Sequence, residues 1–398
     1  MKQYWIFVLN SLVNMAFCAV DSTFGNNISI DAIVVMGSFA LIGQLGAKIL
    51  FIGGYAYKVF QKYEKNCCLL SLIIGVLFGA VCIFGSNIII HVFDLTDTQY
   101  EMLRQALICY GMCCPVEAVG RFLQSYITYK CYNKLVIISN VATYILLIGT
   151  DWLAVSLGWG CNGLVLSTGL TWLVYAIILL IATKFFAQSD KLCIKYIKKA
   201  FLVGKDLAVS GIIARGANLC LGYFVSTMGT EQYAIHSVAL GAVSLAEEFR
   251  DAQNDYTIVR LRNRDKYKER KAKRIFKQCW IPSLLLPIIA SFVLVIVMHG
   301  KVGLAQAIYG VALYCLPMLM YPVYDTVQQF AMSRGKTKYA LANSFICVFW
   351  RVVALWILSS VFGTSLIIIA CIYFFDYLSR TIYYLVRLRR DKRERMQG

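Results

Sequence analysis

Charge is what this chain of 398 residues has least of. Asp, Glu, Lys and Arg together make up 15% of it, against about 25% in ordinary soluble domains. With 59% hydrophobic residues and a mean hydropathy of +0.65, it has too little polar surface to cover a water-soluble globule, and a disordered or fibrous chain is excluded on the same grounds. Only three histidines are present, and no Cys/His spacing resembles a zinc site. A G-x-x-x-x-G-K-[ST] phosphate loop is missing, which speaks against an ATP-driven pump. The fifteen cysteines fall mostly within apolar runs and read as small packing residues. What is abundant is apolar sequence in lengths of about 20, the length of a membrane-spanning helix.

Twelve such segments can be laid down, at 4–24, 30–56, 67–93, 101–127, 135–157, 163–183, 207–227, 233–256, 280–298, 303–332, 339–361 and 365–386. The first follows Lys2 and carries a small-residue motif that imitates a secretory signal. It is read as a span because it runs on into Asp21, part of a repeat described below. If the N-terminus is cytoplasmic, 31 of the 39 Lys and Arg fall in inner connections and termini, seven within spans, and one, Lys301, outside. That is the positive-inside bias. The net charge of +18 is thus a topology signal, and nucleic acid is not an expected partner. The basic run from Arg262 to Arg274 would lie against anionic lipid. The expectation is a multi-pass protein of the cell membrane, monomeric, with both termini cytoplasmic.

The two halves echo one another. Asp21 to Gly25 ends the first span and Val225 to Gly229 ends the seventh, 204 residues on. Glu117 to Ser125 in the fourth span matches Asp325 to Ser333 in the tenth, an offset of 208. The fold expected is an all-α polytopic membrane protein of about twelve transmembrane helices in two parallel six-helix repeats. Its N-terminal bundle is 1–187, its cytoplasmic linker 188–205, and its C-terminal bundle with a basic tail 206–398. Parallel repeats of this sort enclose a site near the bilayer midplane in many secondary transporters.

Four motifs in order carry a family resemblance over nearly the whole chain. Val20-Asp21-Ser-Thr-Phe-Gly25 looks like V-D-T-x-x-x-G. Thr150-Asp151-Trp152-Leu153 through Gly163 resembles L-D-P followed by a G-x-x-G entry. Ile235-His236-Ser237-Val238-Ala239-Leu240 looks like A-H-Q-V-A-L, and Asp325-Thr-Val-Gln328 with Arg334-Gly335 is similar to D-x-V-Q and the R-G after it. The chain resembles the multidrug and toxic compound extrusion (MATE) transporters, which implies two bundles arranged as a V and alternately open to each side. It departs from that family at Ala214, where one branch has a seventh-span Glu, and at Leu147, where another has an Asn. It departs again at the charged stretch from Glu247 to Asp255.

Ionisable residues within spans cost about 2.5–3.5 kcal/mol each on insertion scales, so each needs a partner or a wet cavity. Asp21, Asp151 and Asp325 lack a basic neighbour on their own helix face. A lone carboxylate in low dielectric holds a proton near neutral pH, or Na⁺ if oxygen ligands surround it. These three are the candidate coupling-ion or proton sites. Tyr321, one turn before Asp325, joins them because the resembled branch has an ion-site Tyr there. Glu117 and Arg121, spaced i,i+4, form either a self-neutralised pair or part of a substrate cavity. Asp376 and Arg380 read as such a pair, while Lys48 and Arg351 snorkel or bind backbone carbonyls. Glu247, Glu248 or Asp251 either pairs with Arg215 to gate the cavity or belongs to a solvated cytoplasmic helix. His236 is a candidate proton carrier.

The leading expectation is a secondary active exporter, coupled to Na⁺ or H⁺, of amphipathic organic cations by alternating access. No other cofactor, no metal and no catalytic residue are expected. The alternative is a flippase for lipid-linked oligosaccharide, which would need basic residues such as Arg121, Arg215, Arg250 and Arg351 to meet pyrophosphate. The D-x-x-x-D from Asp251 to Asp255 resembles a Mg²⁺–diphosphate motif of prenyltransferases, but no second Asp-rich motif accompanies it.

Overall fold

The computed structural model describes residues 2–60, 62–130, 132–187, 191–261, 268–334 and 337–397, and among them every regular element is helical. The chain runs α1 (Lys2–Ile28), α2 (Ile30–Leu50), α3 (Ile52–Phe60), α4 (Glu64–Phe84), α5 (Ser86–Ile90), α6 (Asp97–Tyr129), α7 (Asn133–Ser156) and α8 (Gly160–Ala182). After a polar stretch come α9 (Ile194–Ser226), α10 (Thr230–Ala246), α11 (Glu248–Leu261), α12 (Lys268–Met298) and α13 (Leu304–Tyr314). The last four are α14 (Tyr321–Ser333), α15 (Thr337–Val348), α16 (Leu355–Phe362) and α17 (Leu366–Gln397).

Among the described residues, ten helical stretches are long and apolar enough to cross a bilayer, from Ile30–Leu50 to Leu366–Asp391. They coincide with ten of the twelve expected spans. The other two are also helical. α1 covers the first, and the eighth is split: α10 has 17 residues, α11 has 14, and they meet at Glu247. Seventeen residues fall short of the ~20 that a bilayer requires, and the charges of α11 remove its apolar character. The protein is an all-α, multi-pass membrane protein.

Contacts divide the chain into two compact units. One is Val20–Ala234 and the other is Met1–Ala19 with Ile235–Gly398. The repeat places a boundary at 188–205, whereas contact groups α9 with the first unit. The reason lies in small residues. A Cβ on Gly204 would stand 2.5 Å from the Ile52 carbonyl oxygen, and one on Gly222 would stand 2.5 Å from the Leu41 side chain. Without side chains there, α9 lies close against α3 and α2. Close approach through glycine also joins α4 to α6: a Cβ on Gly79 would come within 2.3 Å of the Gly111 carbonyl oxygen. In lipid, where hydrophobic burial does not drive helices together, such backbone proximity is what binds them.

In the second unit, helix breaks position the chemistry. Pro317 lies in a 3₁₀ turn over Leu316–Met320, and Pro322 opens α14. The break presents Tyr321, Tyr324 and Asp325 on the first two turns of a new helix. A π-helical segment, Phe349–Ala354, follows α15 and carries Arg351; such segments occur frequently at functional sites.

Candidate functional site

Buried charge in the second unit is concentrated where α11, α14, α17 and the π-helical segment meet. Asp325 is 1% exposed, and Arg250 of α11 donates to it through Nε at 2.6 Å. The same guanidinium donates to the Tyr377 hydroxyl at 3.1 Å and lies 3.8 Å from Glu247. Its carbon stands 4.4, 5.2 and 5.5 Å from the ring centroids of Tyr321, Tyr377 and Tyr324, all within cation–π range. The Tyr321 hydroxyl donates to Glu247. On α17, Asp376, the residue before Tyr377, is fully buried and bound by Arg351 at 2.5 Å, with Arg380 at 3.5 Å. Arg380 also donates to the Tyr324 hydroxyl at 2.5 Å, and Asn343 donates to the same oxygen at 3.0 Å. Tyr324 and Tyr377 therefore link two ion-pair clusters, Glu247–Arg250–Asp325 and Arg351–Asp376–Arg380. A charge placed in lipid needs both a counter-charge and filled hydrogen-bonding positions, and the tyrosine hydroxyls help supply the second.

The first unit holds two acidic positions of a different kind. Asp151 on α7 is fully buried and accepts a hydrogen bond from the Ser167 hydroxyl of α8. Glu117 on α6 accepts from Arg121 Nε at 2.6 Å, one turn along the same helix. That pair lines a cavity of about 270 Å³ between α2, α6 and α8. Trp172 closes one side, with the Arg121 guanidinium 5.2 Å from its ring centroid. Gln44, on the α2 side of the same cavity, accepts from Arg215 of α9 at 2.5 Å.

Several expectations change. Asp325 has a basic partner after all; it comes from α11, 75 residues away in sequence, where spacing on one helix cannot reveal it. Asp376 does sit beside Arg380, but its nearer partner is Arg351, so Arg351 neither snorkels nor binds a carbonyl as its main contact. Arg215 engages Gln44, and Glu247 engages Tyr321 and Arg250. Glu248 begins α11 and is half-buried. Asp21 and Asp251, together with Asp255, lie outside the residues whose side chains are described. His236 is buried and its Nδ1 lies 2.5 Å from the Tyr314 hydroxyl, a packed position between α10 and α13. The residues that sequence reasoning passed over are Tyr324, Tyr377, Trp172 and Gln44. Tyr324 and Tyr377 each stand next to a span carboxylate, Asp325 and Asp376, a legible signal; nothing local marks Trp172 and Gln44.

The fold and sites can now be set beside known proteins. A protein-family model described as a polysaccharide biosynthesis protein matches residues 208–397. Curated proteins give no match. Solved structures resemble the chain along its full length. One is an inward-facing multidrug-resistance MATE transporter of the MOP superfamily, with a TM-score of 0.69, 13% identity, and 98% of this chain and 99% of that one covered. A MOP-superfamily transporter from Pyrococcus furiosus, described as having a binding pocket of reverse polarity that suggests a different function, gives 0.70, 13%, 98% and 96%. A mutant of the Vibrio cholerae MATE transporter VcmN gives 0.70, 14%, 98% and 96%. The chain has the fold of the MATE transporters of the MOP superfamily.

Proposed function

We propose that the protein is an alternating-access transporter of the cell membrane whose substrate is an amphipathic anion of the lipid-linked saccharide class. The observation that carries this reading is the arginine beside each carboxylate of the buried clusters. Glu247 and Asp325 face Arg250, Asp376 faces Arg351 and Arg380, and in the first unit's cavity Glu117 faces Arg121. A cationic substrate would have to displace an arginine at each of these positions. A phosphate or pyrophosphate meets planar guanidinium forks suited to bind it in a bidentate manner. The match to polysaccharide biosynthesis proteins across 208–397 supports the same substrate class.

The coupling ion enters at Asp151. A buried carboxylate held by a hydroxyl can take a proton, or Na⁺ with further oxygen ligands, and neutralising it changes which conformation is favoured. One charge moved through the membrane field is worth about 2.3 kcal/mol per 100 mV. Asp151 is also what keeps a second reading in view, a Na⁺- or H⁺-coupled exporter of amphipathic organic cations, since it offers such a cation a carboxylate that faces a hydroxyl. In either case the protein is a monomer with cytoplasmic termini, and no step of the cycle makes or breaks a covalent bond.

The two readings separate in proteoliposomes. Full-length protein is reconstituted with a fluorescent lipid-linked saccharide, and leaflet exchange is followed under imposed H⁺ and Na⁺ gradients and a membrane potential. Exchange that is lost in Arg121→Gln supports the anionic substrate. Efflux of a cationic dye without any saccharide exchange overturns it in favour of the cation exporter.

A further inference from the structure

At the end of the second unit where α12 begins and α14 and α17 finish lies a groove that the transport reading does not use. Its volume is about 560 Å³, inside the roughly 300–1,000 Å³ range of small-molecule sites. Phe276, Val327, Phe330 and Leu388 give it an apolar floor. Four basic side chains line it as well: Lys273 and Lys277 from the start of α12, Arg334 at the close of α14, and Arg389 near the end of α17. No carboxylate lines it among the described residues. Asp391, two positions beyond Arg389, accepts a hydrogen bond from Tyr339 at 2.7 Å. The Arg334 guanidinium lies over Phe330, 4.1 Å from its ring centroid, which holds a cation at the edge of the floor.

We propose that this groove binds one anionic phospholipid of the surrounding bilayer, with its acyl chain on the apolar floor and its phosphate among the four basic residues. Depth, polarity and charge agree. The spans to which these helices contribute are Arg270–Met298, Leu304–Met332 and Leu366–Asp391, so all four cations sit near span ends, where headgroups lie. Leu385 is exposed on the protein surface, and Phe276, Val327 and Leu388 are partly so, so a chain can enter sideways from the bilayer. A zwitterionic headgroup brings its own cation into a basic ring and is disfavoured; an anionic one is not. A free phosphate would leave the floor uncovered.

Full-length protein in detergent is titrated with phosphatidylglycerol, and bound lipid is counted by native mass spectrometry alongside the melting temperature. Phosphatidylcholine with the same chains, glycerol phosphate as headgroup alone, and a polyprenyl phosphate are the comparison probes. Each basic residue near an anionic surface strengthens attraction about fivefold. Lys277→Gln with Arg389→Gln should therefore weaken phosphatidylglycerol binding by roughly 30-fold. Arg387→Gln with Arg390→Gln removes the same charge from α17 outside the groove lining and should change it less than threefold. Val327→Trp fills the floor and should abolish retention with every cation in place; it carries the test if the first pair fails to fold. Equal binding of phosphatidylcholine, an equal loss in both charge pairs, glycerol phosphate binding as tightly as the lipid, or preference for the polyprenyl phosphate each overturns the proposal. None of these readouts requires transport, so the proposal stands or falls separately from the function above.

Discussion

Glu117 and Asp325 occupy matching positions in the two halves, 208 residues apart, and each is bonded to an arginine Nε at 2.6 Å. The likeness ends there. Glu117 takes its arginine from the next turn of its own helix, and the Arg121 side chain keeps 28% of its surface exposed at a cavity. Asp325 takes Arg250 from another helix; that side chain is 14% exposed, and three tyrosine rings face its guanidinium. An i,i+4 pair contributes about 0.2–0.5 kcal/mol to a helix and nothing to how helices meet. Tyr324 and Tyr377 each accept a hydrogen bond from one cluster's arginine and face the other cluster's with the ring. A pair between helices, buried and joined in this way to a second cluster, holds α11, α14, α17 and the π-helical segment in one arrangement. One duplicated position therefore borders a cavity in the first unit and joins helices in the second.

The sharpest way to break that contrast is to remove Arg250. Arg250→Met leaves Asp325 and Glu247 without their guanidinium in a low-dielectric setting, where the loss of one partner costs about 3–5 kcal/mol. Melting and denaturant titration in detergent should show a loss of that size. Adding Asp325→Leu removes the stranded charge and should restore a large part of it. The double-mutant cycle would then give a coupling energy of about 0.5–3 kcal/mol. A single variant as stable as the parent would mean that the cluster does not hold these helices together.

Asp151 gives the next largest effect and asks whether burial alone makes a carboxylate structural. Ser167→Ala removes a hydroxyl that donates to Asp151 and should cost about 1.5–3 kcal/mol, the worth of one hydrogen bond to a charged group. Asp151→Asn keeps an acceptor for Ser167 and should cost less. If Asp151 carries the coupling ion, the same Asn variant abolishes the response of transport to the imposed gradient while Ser167→Ala only shifts it. An Asn variant that still responds to the gradient assigns Asp151 to packing.

How far these sites can be read from the sequence follows the range of the interactions. The spans, the helical class and the Glu117–Arg121 pair rest on periodicity, length and i,i+4 spacing, and all are properties of one segment at a time. The break of the eighth span at Glu247 has a local signature too, since Glu247 to Asp255 is too polar to continue in lipid. Arg250 with Asp325 and Arg351 with Asp376 are separated by 75 and 25 residues. No pattern within a helix joins them, because the join depends on a turn at Pro317 and Pro322 and on the π-helical segment that carries Arg351. Grouping of α9 with α2 and α3 was hidden for the same reason: it depends on which glycine faces which carbonyl.

Arg121 is where the smallest effect on stability should accompany a large effect on function. Arg121 flanks the cavity but Glu117 is only 6% exposed, so losing the pair should cost more than the ~0.2–0.5 kcal/mol of an exposed i,i+4 pair and less than the ~3–5 kcal/mol expected of Arg250. Arg121→Gln should therefore melt well above Arg250→Met. Transport is a different matter, because the guanidinium is the cavity's own cation and is oriented by Trp172. Arg121→Lys separates charge from shape. Lysine keeps the positive charge but loses the planar fork and the guanidinium's contact with the Trp172 ring. If the cavity attracts an anion by charge alone, the lysine variant transports like the parent. If it grips a phosphate through two parallel hydrogen bonds, the lysine variant falls well below the parent while the glutamine variant falls further, and neither melts as low as Arg250→Met. A glutamine variant that melts as far below the parent as Arg250→Met would erase the contrast, because both matched positions would then be serving assembly.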